Sequence, residues 1–354
     1  MDFTFTQDQT LFRDATRSFL MVEASPEVLR ELWETDAGRS KELRHKFAEQ
    51  GITGLSVDPG HGGLGLGDVD WVLLLHELGY FAIPDSLTDT AYLAAGLLNG
   101  LPEGSEPRKQ WLPKIVDGSA RISLGHPVNP LVADAHLADV LLMYHDGEVH
   151  AVSRADVDLV ANSSVDLSRR LFNVKWSPKA STRIAGEQTG RRLWQDVVNR
   201  GALSTAGQLV GLASRMLDLS IDYSAERKQF GKPIGSFQAV KHHLADVAVK
   251  IEFAKPAVFR AAYALMQGHP QRDVYISAAK LAAAEAAALA ARHGIQVHGA
   301  MGYTWELDLQ IFVKRALALT SSWGDRILHK RRVANFVFNP DAQLGPANTF
   351  TFTD

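Results

Sequence analysis

Two blocks in the second half of the chain carry side chains that can hold an anion. In YSAERKQFGKPIGSFQ, residues 223–238, a helix is expected to end near Lys228 and a new one to open near Phe237, with Gly231 and Gly235 permitting a tight turn between them. Arg227 and Lys228 then stand beside an exposed helix start, where an arginine fork and free backbone N–H groups can converge on phosphate oxygens. The second block, QVHGAMGY at 296–303, closes an alanine-rich helix and offers the Gln296 amide beside glycine backbone that a ligand can approach closely. Taken singly, the first block also fits an ordinary interhelix turn with solvated charges, and the second a helix C-cap.

A third glycine cluster, GHGGLG at 60–65, satisfies the letters of the dinucleotide fingerprint. Its context does not, because that fingerprint follows a buried strand and opens a helix in a βαβ unit, and no parallel-sheet pattern surrounds this loop. His242, His243 and His298 show no metal-ligand spacing: the adjacent pair points to different helix faces, and no metal site is expected.

The elements that must position these blocks follow from periodicity. Thr6 opens a helix with the capping box TQDQ, Ser25-Pro26 and Ser40 start two more, and Trp71–Tyr80 and Ser86–Leu98 read as helices. Between about Arg121 and Thr182 the period switches to short β-rich runs, and Asp146-Gly147 inside HDGE predicts a hairpin turn. From Arg191 four long helical segments are expected, 191–226, 237–267, 271–298 and 305–336. In the second, Val240, Leu244, Val247, Ile251, Ala254, Val258, Ala261 and Leu265 form the stripe a bundle helix buries. The tail GPANTFTFTD carries no strong pattern. The expected fold is mostly α with a small central β domain (α+β): a helical domain at 1–118, a reduced β-sheet domain at 119–188 and a four-helix bundle with the tail at 189–354.

Composition narrows the partners. The 354 residues are 46% hydrophobic, enough for a real core, and a prior of roughly 100–200 residues per domain gives two or three domains. With no cysteine there is no disulfide framework and no thiolate chemistry, so a reducing compartment, the cytoplasm, is expected. A net charge of -3 removes any global electrostatic case for nucleic acid, and neither a signal peptide nor a membrane span is read.

In this order and separation the two blocks, R-x-x-F-G-x-x-x-x-x-x-Q then Q-x-H-G-x-x-G-Y, resemble the acyl-CoA dehydrogenase family, and the domain order extends the resemblance over nearly the whole chain. The resemblance implies active sites at dimer interfaces. Arg227, Phe230, Gln238 and the segment Gln296, Val297, His298, Gly299 and Ala300 match positions that hold the ADP moiety of FAD, whose flavin sits mainly on the neighbouring subunit. It also implies a glutamate that abstracts the acyl α-proton while the β-hydride goes to the flavin. Gapless alignment places that glutamate on Ser322, and the alternative position used by a minority of the family on Gly201, so both base positions are empty. Asp196 and Asp325 are the nearest acids in sequence. The flavin-binding T-E-P-x-x-G-S-D-like segment is replaced by ISLGHPVNPLVADAH. These departures imply one subunit of a heteromeric FAD-dependent acyl-CoA dehydrogenase of the type acting on bulky thioesters such as steroid side chains. A second dehydrogenase subunit would supply flavin pocket and base, and electrons would pass to an electron-transfer flavoprotein. The alternatives are a self-sufficient flavoenzyme with a displaced base and a catalytically silent scaffolding protein.

Overall fold

The computed structural model describes residues 4–345 and residue 348; the tail GPANTFTFTD lies outside them apart from Gly345 and Asn348. Six helices build the N-terminal layer: α1 (Gln7–Glu23), α2 (Pro26–Trp33), α3 (Lys41–Glu49), α4 (Asp68–Tyr80), α5 (Ala95–Asn99) and α6 (Glu106–Val116). Their starts are set by side-chain caps. Thr6 Oγ1 accepts from the Gln9 N–H at 3.2 Å while Gln9 Oε1 accepts from the Thr6 N–H at 3.0 Å, and Ser25 and Ser40 cap α2 and α3. The helix expected over Ser86–Leu98 is instead a π-helical stretch, Asp89–Ala94, running into α5. A π stretch of this kind is typical of functional sites and of helices under packing constraint.

The β domain holds a four-stranded sheet in the order β1-β3-β4-β7 and a three-stranded sheet in the order β2-β6-β5. The strands are β1 (Ile122–Gly125), β2 (Val132–Ala133), β3 (Val140–His145), β4 (Glu148–Ser153), β5 (Asp158–Asn162), β6 (Leu171–Lys175) and β7 (Arg183–Ala185). Strands β1 and β3 run parallel, and β3 and β4 form the expected hairpin through Asp146 (φ 45°) and Gly147 (φ 93°).

The C-terminal part is built on α7 (Glu187–Glu226), 40 residues long, which packs on α4 as well as on α8 (Gln238–Met266), α9 (Arg272–His298) and α10 (Leu309–Thr320). Its partner α8 buries Val247, Ile251, Ala254, Val258, Ala261 and Leu265 from the predicted stripe. α9 is long and apolar enough to cross a membrane by length and composition, but half of its most apolar stretch is buried in the bundle. Sequence periodicity errs at the fourth segment. Residues 305–336 do not form one helix: α10 ends at Thr320 and α11 (Arg326–Val337) starts afresh. The chain between them turns through Trp323 (φ 55°) and Gly324 (φ 104°), backbone that a helix cannot contain. This break is the loop on which the absent glutamate was aligned.

Candidate functional site

Between α7 and α8 the chain forms a small hairpin, β8 (Lys228–Gln229) with β9 (Lys232–Pro233), turning through Phe230 (φ 53°) and Gly231 (φ 77°). The hairpin is anchored by the Ile234 N–H donating to Arg227 O at 2.8 Å. Arg227 is exposed, and its guanidinium makes no ion pair or hydrogen bond among the described residues. Phe230 is 91% exposed, its ring edge-on to Phe237 at 6.1 Å, and Gln238 is exposed at the first position of α8. The second block meets the first through a ring stack: His298 lies 4.3 Å from the Tyr223 ring, and the Tyr223 hydroxyl points at His298 O at 3.5 Å. Outside the blocks α9 also touches α8, with His293 Nδ1 2.9 Å from His243 O.

Arg227, Phe230, Gln238, Gln296, Gly299 and Ala300 therefore all stand exposed where the two blocks join. Gly299 has φ 61° and nothing within 4 Å of where a Cβ would sit, so its backbone is open to a ligand. Val297 and His298 differ from the other matched positions. Both side chains are buried, His298 Nδ1 donates to Gly294 O at 2.8 Å, and burial pushes its imidazole pKa down. These two residues support the surface from beneath and can reach a ligand only through their backbone. No group of three or more potential metal ligands exists among the described residues.

The two positions aligned with the family's base, Gly201 and Ser322, come together. Gly201, in the buried middle of α7, faces the α10–α11 turn: a Cβ there would lie inside the van der Waals envelope of the Trp323 indole, with Cε2 2.8 Å away and two further ring atoms closer still. The neighbouring Ser322 is buried, and its hydroxyl donates to Ala318 O at 3.2 Å. Neither position offers a proton acceptor with a pKa near neutrality. Asp196 and Asp325 do not approach this point. Asp325 caps α11 by accepting from the Leu328 N–H at 2.8 Å, and Asp196 faces Arg272 at 3.9 Å.

Beside Trp323 a polar cavity of about 70 Å³ remains at the junction of the three domains. Buried ion pairs surround it. Arg39 grips Asp134 with two bonds of 2.6 and 2.7 Å, Asp85 accepts from Arg44 at 2.8 Å and Arg121 at 2.7 Å, and Arg315 pairs with Asp166 at 3.2 Å. Asp89, from the π stretch, faces this cavity without a hydrogen bond or ion pair among the described residues. Burial, reinforced by the charge of Asp134, pushes its pKa up to about 7. Sequence reasoning missed Asp89, the one carboxylate in the stretch expected to be helical over Ser86–Leu98.

The GHGGLG loop is structural. Asp58 binds both His61 (2.8 Å) and Arg108 (2.5 Å) across it, and a Cβ on Gly63 would overlap Val57 O, so glycine is required for backbone contact and not for a phosphate.

Comparison with known proteins bears on this arrangement. Residues 6–119 match the family description "Acyl-CoA dehydrogenase, N-terminal domain" and residues 188–338 "Acyl-CoA dehydrogenase, C-terminal domain". The chain is 31% identical over 314 residues to acyl-CoA dehydrogenase IpdE2 of Mycobacterium tuberculosis, covering 88% of this chain and 91% of that protein. With the protein of the same name from Mycolicibacterium smegmatis the identity is 30% over 94% of this chain and 100% of the relative. Among solved structures the fold matches the ChsE4-ChsE5 complex from Mycobacterium tuberculosis (TM-score 0.84, 23% identity, 96% of this chain and 100% of that chain). It also matches butyryl-CoA dehydrogenase from Megasphaera elsdenii (TM-score 0.85, 20% identity, the same coverage). With both terminal domains matched and a relative above 30% identity aligned over most of its length, the chain belongs to the acyl-CoA dehydrogenase family.

Proposed function

We propose that this chain is the non-catalytic subunit of a heteromeric FAD-dependent acyl-CoA dehydrogenase. One observation carries the reading: Gly201 and Ser322, the family's two base positions, lie side by side without a carboxylate, while the surface of Arg227, Gln296 and Gly299 is open and unpaired. FAD, when bound, supplies the acceptor for the hydride leaving the acyl β-carbon. The residues here fit only its ADP half. Arg227 would take pyrophosphate oxygens through its fork, the Gln296 and Gln238 amides would bond neighbouring polar atoms, the Phe230 ring would cover an apolar face, and backbone from Val297 to Ala300 would permit close approach. In the β domain, the loop after β1 presents His126, Pro127, Asn129 and Pro130 where the flavin-binding segment is expected. His126 is packed on Tyr144 and Trp194, and burial lowers its pKa to about 4, so it offers no charge to a flavin.

The complementary subunit would carry the flavin pocket and the glutamate, act on an acyl-CoA thioester, and pass electrons to an electron-transfer flavoprotein in the cytoplasm. The ChsE4-ChsE5 neighbour, a complex of two differently named chains, supports a two-chain assembly. A self-sufficient enzyme is the second reading, and Asp89 is the one observation in its favour, a cavity-facing carboxylate with a pKa suited to a general base. Acyl-CoA oxidation with an artificial electron acceptor separates the two. Turnover is expected only when the complementary subunit is present, and turnover by the lone chain would replace the first reading with the second.

A further inference from the structure

The geometry points to the α10–α11 turn as a plug: Trp323 fills the space that the acyl group would occupy in this chain, so the chain takes up no thioester and each subunit pair holds one, on the partner. This rests on the reading of the chain as a dehydrogenase subunit.

A glutamate at either base position must reach the same acyl α-carbon, so the directions leading out of 201 and 322 converge on the substrate. From Gly201 that direction runs directly into the Trp323 indole. Trp323 is only 4% exposed, and its backbone adopts φ 55°, an outlier for a bulky residue that persists only where the surroundings enforce it.

The enforcement comes from three directions. Asn129, from the β domain, accepts the Trp323 N–H at 2.7 Å. His329, from α11, stands 3.2 Å from Trp323 O through Nε2 and 3.0 Å from Ser277 Oγ through Nδ1. Burial lowers the His329 pKa to about 4, so the ring is neutral, and Nε2 must carry the proton because a carbonyl oxygen can only accept. Lys280, fully buried on α9, binds Leu319 O at 2.8 Å, Ser322 O at 3.0 Å and Thr205 Oγ1. The Thr205 hydroxyl is already committed as a donor to the carbonyls of Gly201 and Ala202 at 3.0 and 3.1 Å. All three Lys280 neighbours are therefore acceptors, a cage that uses every proton of an ammonium group. The Lys280 cation also sits at the C-terminal end of α10, where the helix dipole favours it against the desolvation that pushes its pKa down.

What space remains is small and of the wrong polarity. The cavity of about 70 Å³ is walled by Asp89, Arg169, Ser204, Gln208 and Asn129, polar groups that an apolar chain would strand without partners. No ordinary acyl chain fits without expelling Trp323.

The test is an equilibrium titration of the lone full-length chain with a non-oxidisable 3-thiaacyl-CoA, with the flavin content of the same sample recorded. Wild type and Trp323→Phe, which keeps a ring in place, are expected to show no saturable uptake. Trp323→Gly should leave a hole of the indole's own shape that free indole refills, so that indole raises the melting temperature of this variant and not of wild type. If Trp323→Gly does not fold, the other two titrations decide. Uptake of one equivalent by wild type, abolished by Leu131→Trp at the half-buried cavity wall, would overturn the plug. The two proposals fail separately. A chain carrying its own flavin but no thioester refutes the subunit reading and leaves the plug standing; a colourless chain that fills its cavity with thioester does the reverse.

Discussion

Replacing Gly201 by alanine gives a prediction whose sign depends on a single neighbour. In an isolated helix interior the change stabilises by about 1 kcal/mol, because glycine loses more backbone entropy on folding. Here the added methyl meets the root of the Trp323 indole, with Cε2 2.8 Å away and Cγ and Cδ2 closer. The residue cannot retreat, since Asn129 and His329 hold both backbone groups of Trp323 and its side chain is buried. Overpacking of this kind costs about 1–3 kcal/mol, and a latched ring belongs at the upper end. The net expectation is a destabilisation of about 2 kcal/mol in wild type. In a Trp323→Ala background, itself about 3–5 kcal/mol less stable, the clash is gone and Gly201→Ala should stabilise by about 1 kcal/mol. Thermal and urea unfolding of the four proteins then yields a coupling of about 3 kcal/mol between the positions, far outside the roughly 0.5 kcal/mol scatter of independent sites. Additive effects, or a Gly201→Ala protein more stable than wild type, would show that Trp323 does not occupy the space in front of Gly201.

Arg227→Ala should leave the unfolding of the lone chain unchanged, since the side chain has no partner there, yet weaken FAD binding by the complex about tenfold or more, the worth of about 1.5–3 kcal/mol for a charge-assisted hydrogen bond, measured by flavin titration of the apo-complex. Asp89 has a folded pKa of about 7, above the ordinary carboxylate value, so its ionisation destabilises the fold as pH rises from about 4 through 7; Asp89→Asn should raise the melting temperature at pH 8 and lose that advantage at pH 5. His329 works in the opposite sense: its pKa, lowered to about 4, means stability is lost as pH falls from about 6.5 toward 4, and His329→Gln should flatten that limb of the pH–stability curve. Asp325→Asn keeps the α11 cap and should be neutral, whereas Asp325→Ala should cost about 1 kcal/mol; with Asp196→Asn, both should leave turnover of the complex nearly intact.

The large elements were legible because their signals are local. Capping residues at Thr6, Ser25 and Ser40 mark helix starts, the α8 stripe marks its buried face, and Asp146-Gly147 marks the hairpin. The break between α10 and α11 did carry a local signal, Ser321-Ser322, Gly324 and the cap residue Asp325, which the apolar residues on either side outweighed in the reading; its tertiary partners, Asn129, Lys280 and His329, had none. For the same reason the ion-paired junction went unread: Arg39 and Asp134, or Arg315 and Asp166, are far apart in sequence and belong to no motif. Alignment put Gly201 and Ser322 at the family's base positions, and nothing in the letters shows that the space before Gly201 is filled by an indole. Val297 and His298 match by letter, and only the structure shows that their side chains are buried.

The function proposed for this chain gives it half of a cofactor site. Its most direct test is the visible absorption spectrum of the chain purified alone, set against the spectrum of the chain co-purified with a complementary dehydrogenase subunit. The lone chain should be colourless, and the complex should show flavin absorbance that falls when Arg227 is replaced by alanine. Stoichiometric bound flavin on the lone, homo-oligomeric chain would contradict it.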